Sequence, residues 1–515
     1  MVGLVVCQSN PVAPRFADPP WTRSSAEWKS IDSQLPDDHV ARTMVAAVAN
    51  LDLNPLYATY RAGGSDAIEP KLLLTIVLIE MSLGQRSPSD WFRDTQENIA
   101  LQWAGFGIRP SRSVWYSFRK RSNEMLEPWF LEVLALAKEM ELTPAERGAL
   151  DGTFVAANAS RHHLLNADRV KQRQEALAEA GAQDEQGKEP DSVPGWMATT
   201  PTGREQQATR YGQARGRLDE LHAANQQLNP ARRRPAQKVV VSATDPEAAL
   251  GLDKEKVFRP LYVVQIVRDL DSELILNYDV FAQNTDGGTL LPMLERGRER
   301  FQLNLLALAG DASYVTACNL AHCAQEHVTL YGPWQANDYT KDKQKQKDRT
   351  TIPKEDFQGD PEAKQYRCPE GRPLVWIGQE KRTQTDGQVN VMHRYRCSPQ
   401  HCSACPRKAT CTSNPARGRA VKRSEHEDLI ETHRKRMATP EAKAVYRLRK
   451  QTVELQFADF KANRKFRRFS GRGLTAARIE TGLTALAHNL LIVEKHRKQS
   501  QQRDSARDFP YQAAS

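Results

Sequence analysis

Helical and strand periodicities occupy different parts of the chain, and their order already divides it. After Pro36, apolar positions at Val40, Met44, Val45, Val48 and Leu51 recur at helical spacing, with Asp37 and Asp38 placed to cap the start. The run LLLTIVLIEMSLG, Leu72 to Gly84, follows Pro70 and ends on glycine, the residues that open and close helices. It is too short to span a bilayer and contains Glu80, so it predicts a buried helix. A third helix begins near Pro88 and carries Trp91 and Phe92; Gly105 and Gly107 then break the chain, and PSRSVWYSFRKR resumes as a helix ending in Arg119, Lys120 and Arg121. Helix, glycine break and basic-ended helix suit a helix-turn-helix-like DNA-binding unit, and equally an all-helical packing unit with a basic surface.

From Arg161 to Pro235 the pattern turns polar, with helical pieces at Asp168–Ala180 and Arg204–Leu228, and predicts an exposed helical hairpin or partly disordered insertion. Short β-branched runs follow: KVVVSAT from Lys238, PLYVVQIV from Pro260 and ELILNYDV from Glu273. A helix is expected from Gly288 to about Phe301. The next run, Leu303 to Ala309, is apolar on both faces, as a central parallel strand between helices would be. These elements predict an α/β layered core.

At 515 residues the chain is too long for one core of ordinary size, and with 39% hydrophobic and 26% charged residues it reads as globular. Its N-terminus lacks the pattern of an export signal, which favours a cytoplasmic location. The net charge of +10, from 73 Lys+Arg against 63 Asp+Glu, favours polyanionic partners. The cations are unevenly spread: Arg232–Arg234, Lys341–Arg349, HRKRM around Arg434, YRLRK from Tyr446 and NRKFRRFSGRG from Asn463. Clustering toward the C-terminal third points to nucleic acid rather than to solvated faces.

Three acids carry candidate chemistry. Asp151 interrupts the apolar run RGALDGTFVA before Gly152, and Asp311 follows the buried strand after Gly310, each expected where a strand meets its loop. Glu454 stands in YRLRKQTVELQFADFK. Wound as a helix, Tyr446, Val453, Phe457 and Phe460 form one packing stripe, with Glu454 at its border beside Arg447, Lys450 and Lys461. Two aspartates at strand ends and a helical glutamate suit hard divalent ions, Mg²⁺ above all, and a pair of such ions serves phosphodiester displacement.

Taken in order, LDGT at Leu150, TDPEA at Thr244, GDASY at Gly310, YRLRKQTVELQFADFK and RGLTAARIETGLTALAHNL at Arg472 resemble a bacterial insertion-sequence transposase of the DDE type. LDLNPLYATY, LLLTIVLIEMSLGQRS and SVWYSFRKR resemble the helical domain that precedes that core. The resemblance implies a ribonuclease-H-like mixed sheet flanked by helices, preceded by an all-α N-terminal domain. It makes Asp151, Asp311 and Glu454 the triad that binds two Mg²⁺, or Mn²⁺ in their place. Tyr446, Arg449 and Lys461 match the Tyr-Arg-Glu-Lys signature, with Arg447, Lys450, Arg119, Lys120 and Arg121 as further DNA contacts. The usual signature has three residues between arginine and glutamate. Here Arg449 and Glu454 are separated by four, which leaves open whether Arg449 or Lys450 contacts phosphate. The implied partners are double-stranded DNA, as terminal inverted repeats and target, and a second copy of the chain; the implied location is the nucleoid, with no membrane. A DNA-binding repressor descended from a transposase and a nuclease without strand transfer are the alternatives.

Five of the eight cysteines, Cys368, Cys397, Cys402, Cys405 and Cys411, fall in one short segment. In a cytosolic chain such clustering suggests structural Zn²⁺ held by four of them, with His401 or His393 as substitutes, in a knob touching DNA; reduced cysteines in a loop insertion are the other reading. The expected divisions are a disordered segment 1–35, a helical domain 36–140 and a first catalytic part 146–335 containing the insertion 161–235. A cysteine-rich insertion 336–425, a second catalytic part 426–496 and a solvated tail 497–515 complete them.

Overall fold

Pro70 opens the helix Pro70–Ser82 at its first turn, and Gly84 ends it in the left-handed region, φ 82°. A Cβ at Gly84 would also lie 2.6 Å from the Arg464 carbonyl oxygen, so two independent constraints exclude a larger residue. Val40–Val48, Pro88–Glu97, Ile99–Ala104 and the closing helix Leu474–Arg507 pack against this helix, while Arg112–Arg121 packs on Pro88–Glu97 and Leu126–Glu139 on the closing helix. This computed structural model describes residues 14–61, 66–334, 352, 356–360, 365–383 and 388–507; Cys7 and the basic run 341–349 lie outside the described residues.

Residues 14–25 are irregular and a short helix follows them. The helix Ala26–Gln34 places Trp28 in stacks on Trp103 and Phe106, with centroids 5.7 and 5.9 Å apart, and its indole N–H donates to the Trp103 carbonyl. Phe16, edge-on to Tyr57 and Tyr60, and Trp21, whose backbone N–H donates to the Phe106 carbonyl at 2.9 Å, anchor the preceding stretch as Trp28 anchors the helix.

The central sheet is mixed. Its strands are β1 (Arg147–Ala156), β4 (Ala249–Leu252), β5 (Phe258–Asp269), β6 (Ile275–Phe281), β7 (Ala307–Ala309) and β8 (Thr329–Tyr331), in the order β4-β5-β1-β7-β8 with β6 also on β5. Strands β2 (Leu164–Leu165) and β3 (Val241–Ser242) pair with each other outside it. β5 runs antiparallel to β1, β4 and β6, while β1, β7 and β8 are mutually parallel neighbours. The strand expected from Leu303 is shorter than its apolar run. Gln302 is left-handed at φ 51° after the helix Leu290–Phe301, and Leu303 and Leu305 fill the core before β7 begins.

The helical N-terminal region shares one continuous core with this sheet. Phe130, on the last of its helices, meets Tyr278 of β6 and Phe301 with centroids 5.0 and 4.8 Å apart. The closing helix Leu474–Arg507 binds the sheet as well: the Asn489 amide accepts from the Ile275 N–H and donates to its carbonyl, satisfying the edge of β6. The apolar faces of the helical region and of the sheet thus cover each other, which periodicity does not reveal.

Two lobes stand apart from this core. Helices Ala167–Glu185 and Pro201–Gln227 form a hairpin above the β2–β3 pair, with its own small core of Val170, Leu177, Tyr211 and Leu218 and a buried Arg204–Asp184 ion pair. The cysteine-rich segment forms an antiparallel sheet of β9 (Gln358–Asp360), β10 (Gln365–Arg367), β11 (Pro373–Thr383), β12 (Val389–Cys397) and β13 (Ala420–Ser424). Among the described residues no helix is long and apolar enough to cross a membrane.

Candidate active site

The register of β1 and β7 places the first two acids. Ala149 lies opposite Ala309 in the parallel pair, and that pairing is the last between the two strands. Asp151 and Asp311 each come two residues later, so both lie just past that last pairing, on neighbouring segments of the sheet. Asp151 is not at the end of its own strand, as the sequence suggested: β1 continues to Ala156, paired with β5. What ends there is β7, and its termination opens one edge of β1 beside the acid.

Glu454 reaches the same place from a distorted helix. The run from Tyr446 is not one regular α-helix: Pro440–Arg449 gives way to a π-helical turn, Lys450–Glu454, before Leu455–Ala462 resumes. In an α-helix, residues five apart point in different directions. The wider turn carries five and returns them to one face, which absorbs the additional residue between Arg449 and Glu454. Arg449 Nη1 donates to Glu454 Oε1 at 2.7 Å, and Nη2 lies 3.0 Å from Asp151 Oδ2. Of the two candidates Arg449 is thus turned inward and buried, while Lys450 is exposed. Val453, Phe457 and Phe460 are buried beneath, as the stripe predicts, and Tyr446 is half-exposed.

Charge in this cleft is unbalanced. Burial raises the Asp151 carboxyl above its usual range, against the pull of Arg449 and a hydrogen bond from the Gly152 N–H; Asp311 adds to the rise. The acids in turn hold the Arg449 guanidinium protonated more firmly than usual, outweighing its burial. Lys461 is pushed down to about 8 by burial and then by Lys254 and Arg467.

A fourth acid, unanticipated from the sequence, shares this field. Asp286 is raised to about 6 by burial and then by the charges of Asp311 and Asp151. Its Oδ1 accepts from the Gln265 amide at 2.9 Å, and Gln265 accepts from the Tyr314 hydroxyl at 2.8 Å. Gln265 is the β5 partner of Gly152, and a Cβ at Gly152 would stand 2.1 Å from Asp286 Oδ1. Gly152 thus follows Asp151 because a carboxylate occupies the space a side chain would need. In the sequence, NTDGG before a helix looks like an ordinary turn.

The donors suit a hard divalent ion, all being carboxylate oxygens in a cleft with excess negative charge. Yet among the described residues no three acidic, histidine or cysteine side chains converge as ligands of one ion, and the Arg449 guanidinium lies between Asp151 and Glu454.

The remaining predicted residues separate by environment. Tyr446, Arg447, Arg449 and Lys450, with Lys443, line a cavity of about 240 Å³ beside the acids. Arg119 lies 3.7 Å from the buried Glu480 of the closing helix, and Arg121 lies over the Tyr60 ring at 3.9 Å, so the helix they end is docked inward; Lys120 is exposed. Cys368, Cys397, Cys402, Cys405 and Cys411, all unbridged, line one cavity of about 30 Å³ with His401. Burial and the neighbouring Cys402 push the Cys397 thiol up to about 12. His393 instead lies on β12 near the Trp376 indole and takes no part in that cavity.

Two family models match the chain: one described as "Transposase DDE domain" over residues 367–492, and one described as "Transposase domain (DUF772)" over residues 29–121. The first includes Glu454 and the cysteine segment, and the second the helical region as far as Arg121. No curated protein matches the chain.

Proposed function

Given that the chain is an insertion-sequence transposase of the DDE type, we propose that it cuts DNA at the ends of its element and joins the freed ends to a target. Asp151, Asp311 and Glu454 are the acids of its catalytic centre. The observation that carries this reading is the Arg449 fork, which gathers Asp151 and Glu454, some three hundred residues apart in sequence, into one cleft beside Asp311. A ribonuclease-H-like fold is supported by the order β4-β5-β1-β7-β8 with its antiparallel and parallel halves.

Asp151, Asp311 and Glu454 would hold two Mg²⁺ or Mn²⁺ ions, which when bound supply charge neutralisation at the phosphoryl group and activation of the attacking oxygen. Arg449 keeps the acids together and, once they have other counter-charges, is placed to take a phosphate oxygen with the same fork. Tyr446, Arg447 and Lys450 border the cavity beside it and would position the strand, and Lys461 gains full charge against phosphate. In the first step water adds to phosphorus and the 3′-oxygen leaves with the bond's electron pair. In the second that 3′-hydroxyl adds to a target phosphorus and the target's own 3′-oxygen leaves. Two ends must be held together for joining, so a dimer on double-stranded DNA is the expected working form. The unreplaced acids argue against a repressor that only binds.

Asp151→Asn, Asp311→Asn and Glu454→Gln are each expected to abolish cleavage of labelled element-end duplexes in Mg²⁺ while binding by gel shift persists. Cleavage surviving any one of them removes that residue from the centre. The cysteine lobe would hold a structural Zn²⁺ through four of the five thiols at the His401 cavity, after these draw inward. Elemental analysis of the purified protein is expected to find one zinc per chain, lost in Cys402→Ser; a zinc-free, folded lobe overturns this.

A further inference from the structure

A second basic site lies beyond the acids, where β1 leaves the sheet. A cavity of about 540 Å³ there is lined by Arg161, His162, Arg259, Arg468 and Arg472, and no acid, Trp, Tyr or Phe is among its lining residues. Its floor is built by two segments far apart in sequence. Ala156 N donates to the Arg467 carbonyl at 3.0 Å, Phe469 N donates to the Ala156 carbonyl at 2.9 Å, and the Asn158 amide donates to the Ser470 carbonyl. Arg468 is fixed by donating to the Ala159 carbonyl at 2.6 Å, and Arg259 lies 2.9 Å from Asp253, while Arg161 and Arg472 are exposed at the rim.

Position gives this cavity meaning. Ala156 is five residues beyond Asp151 along β1, about 17 Å at the rise of a strand. The interval is not electrostatically empty. Lys254 acts on Asp151 and Asp286 from one side and on Lys461 from the other, and Lys461 feels Arg467, the neighbour of Arg468. Cations thus follow one another from the catalytic acids to the cavity. Guanidinium groups without a stacking ring beside them suit phosphate oxygens rather than a base.

We propose that this groove receives the sugar–phosphate backbone of the DNA strand leading away from the cleaved phosphodiester, about five nucleotides from it at the rise of about 3.4 Å per nucleotide of a strand. The proposal rests on the transposase reading, and it gives the base of the helical hairpin, where Arg161 and His162 sit, a part in holding substrate.

The test compares the full-length protein with Arg161→Ala/Arg472→Ala on an element-end duplex. With two phosphates no longer neutralised, the slope of log affinity against log salt should fall in magnitude by about 1.8. Hydroxyl-radical protection near the fifth nucleotide from the cut should disappear while protection at the cut persists. Both side chains are exposed, so the thermal transition should not move, and circular dichroism checks this. An unchanged slope with an unchanged footprint overturns the proposal. So does millimolar inorganic phosphate binding that the variant alone loses while its salt slope stays that of the parent, since the groove would then serve a small anion. Asp311→Asn separates this proposal from the reading beneath it: that variant should keep the footprint without cutting. A parent protein that protects these nucleotides but never cuts would count against the transposase chemistry and not against the groove.

Discussion

Glu480, fully buried, and Asp151, mostly buried, are both acids facing arginine, and they differ in how many donors reach them. Glu480, with no exposed side-chain surface, accepts from Ser470 N at 3.0 Å, Ser470 Oγ at 2.7 Å and Gly471 N at 2.5 Å, with Arg119 at 3.7 Å and Arg86 at 3.9 Å. Burial still raises the Glu480 carboxyl above the usual range, against these hydrogen bonds and the pull of Arg119. Asp151 has one backbone donor, Gly152 N, and one arm of Arg449, and it faces two further carboxylates rather than further donors. A buried acid with three hydrogen-bond donors and two arginines around it is a clasp, here joining the helical region through Arg86 and Arg119 to the closing helix. An acid left short of donors among like charges retains capacity for a cation, and such sites cost stability for the sake of function.

That contrast makes opposite predictions for two isosteric changes. Asp151→Asn should take cleavage below detection, a loss of more than about a thousandfold, since several kcal/mol of charge stabilisation are at stake. Its unfolding free energy should change little, because repulsion from Asp311 and Asp286 goes together with the attraction of Arg449. Glu480→Gln should do the reverse, lowering unfolding free energy by about 3–5 kcal/mol as Arg86 and Arg119 lose their shared counter-charge. Urea denaturation and single-turnover cleavage on the same two variants decide it. A Glu480→Gln protein as stable as the parent would break the comparison.

The sequence made some of this visible and hid the rest for identifiable reasons. Asp151, Asp311 and Glu454 could be named because their order and neighbours resemble a known pattern, and the spacing of Arg449 and Glu454 carried the signal of the π-turn without its meaning. Helical and strand periods gave the helices Val40–Val48 and Pro70–Ser82 and the strands β5 and β6. Asp286 stayed hidden because its role depends on the space above Gly152 and on Gln265 across the sheet, contacts that no local pattern encodes. The neighbourhood of Arg119 beside Glu480 was hidden because a basic helix end looks alike in sequence whatever lies next to it. The cysteine-rich insertion is expected from the sequence, but its five-stranded sheet is not, because β11 and β12 bury few of their residues and leave Val375, Trp376, Ile377 and Val389 exposed, so no alternation of apolar and polar positions marks them.

The smallest expected effect lies in Asp286, which stands between the two extremes with one firm donor and two acidic neighbours. Its carboxyl is raised from 3.8 to about 6, so across that interval the folded protein holds a proton that the unfolded chain has released. The native state then binds more protons than the unfolded one, and stability must fall as pH rises through the window, by at most about 1.4 kcal/mol per pH unit, with the full cost present above the folded value. Asp286→Asn keeps an acceptor for the Gln265 amide and removes the titrating charge, so this part of the slope should vanish and the variant should be the more stable protein near neutrality. Urea denaturation of both proteins across the window, without divalent ions, measures the difference. Parallel pH profiles would mean that Asp286 ionises as freely as a surface acid, and that the cleft is less crowded with negative charge than its geometry implies.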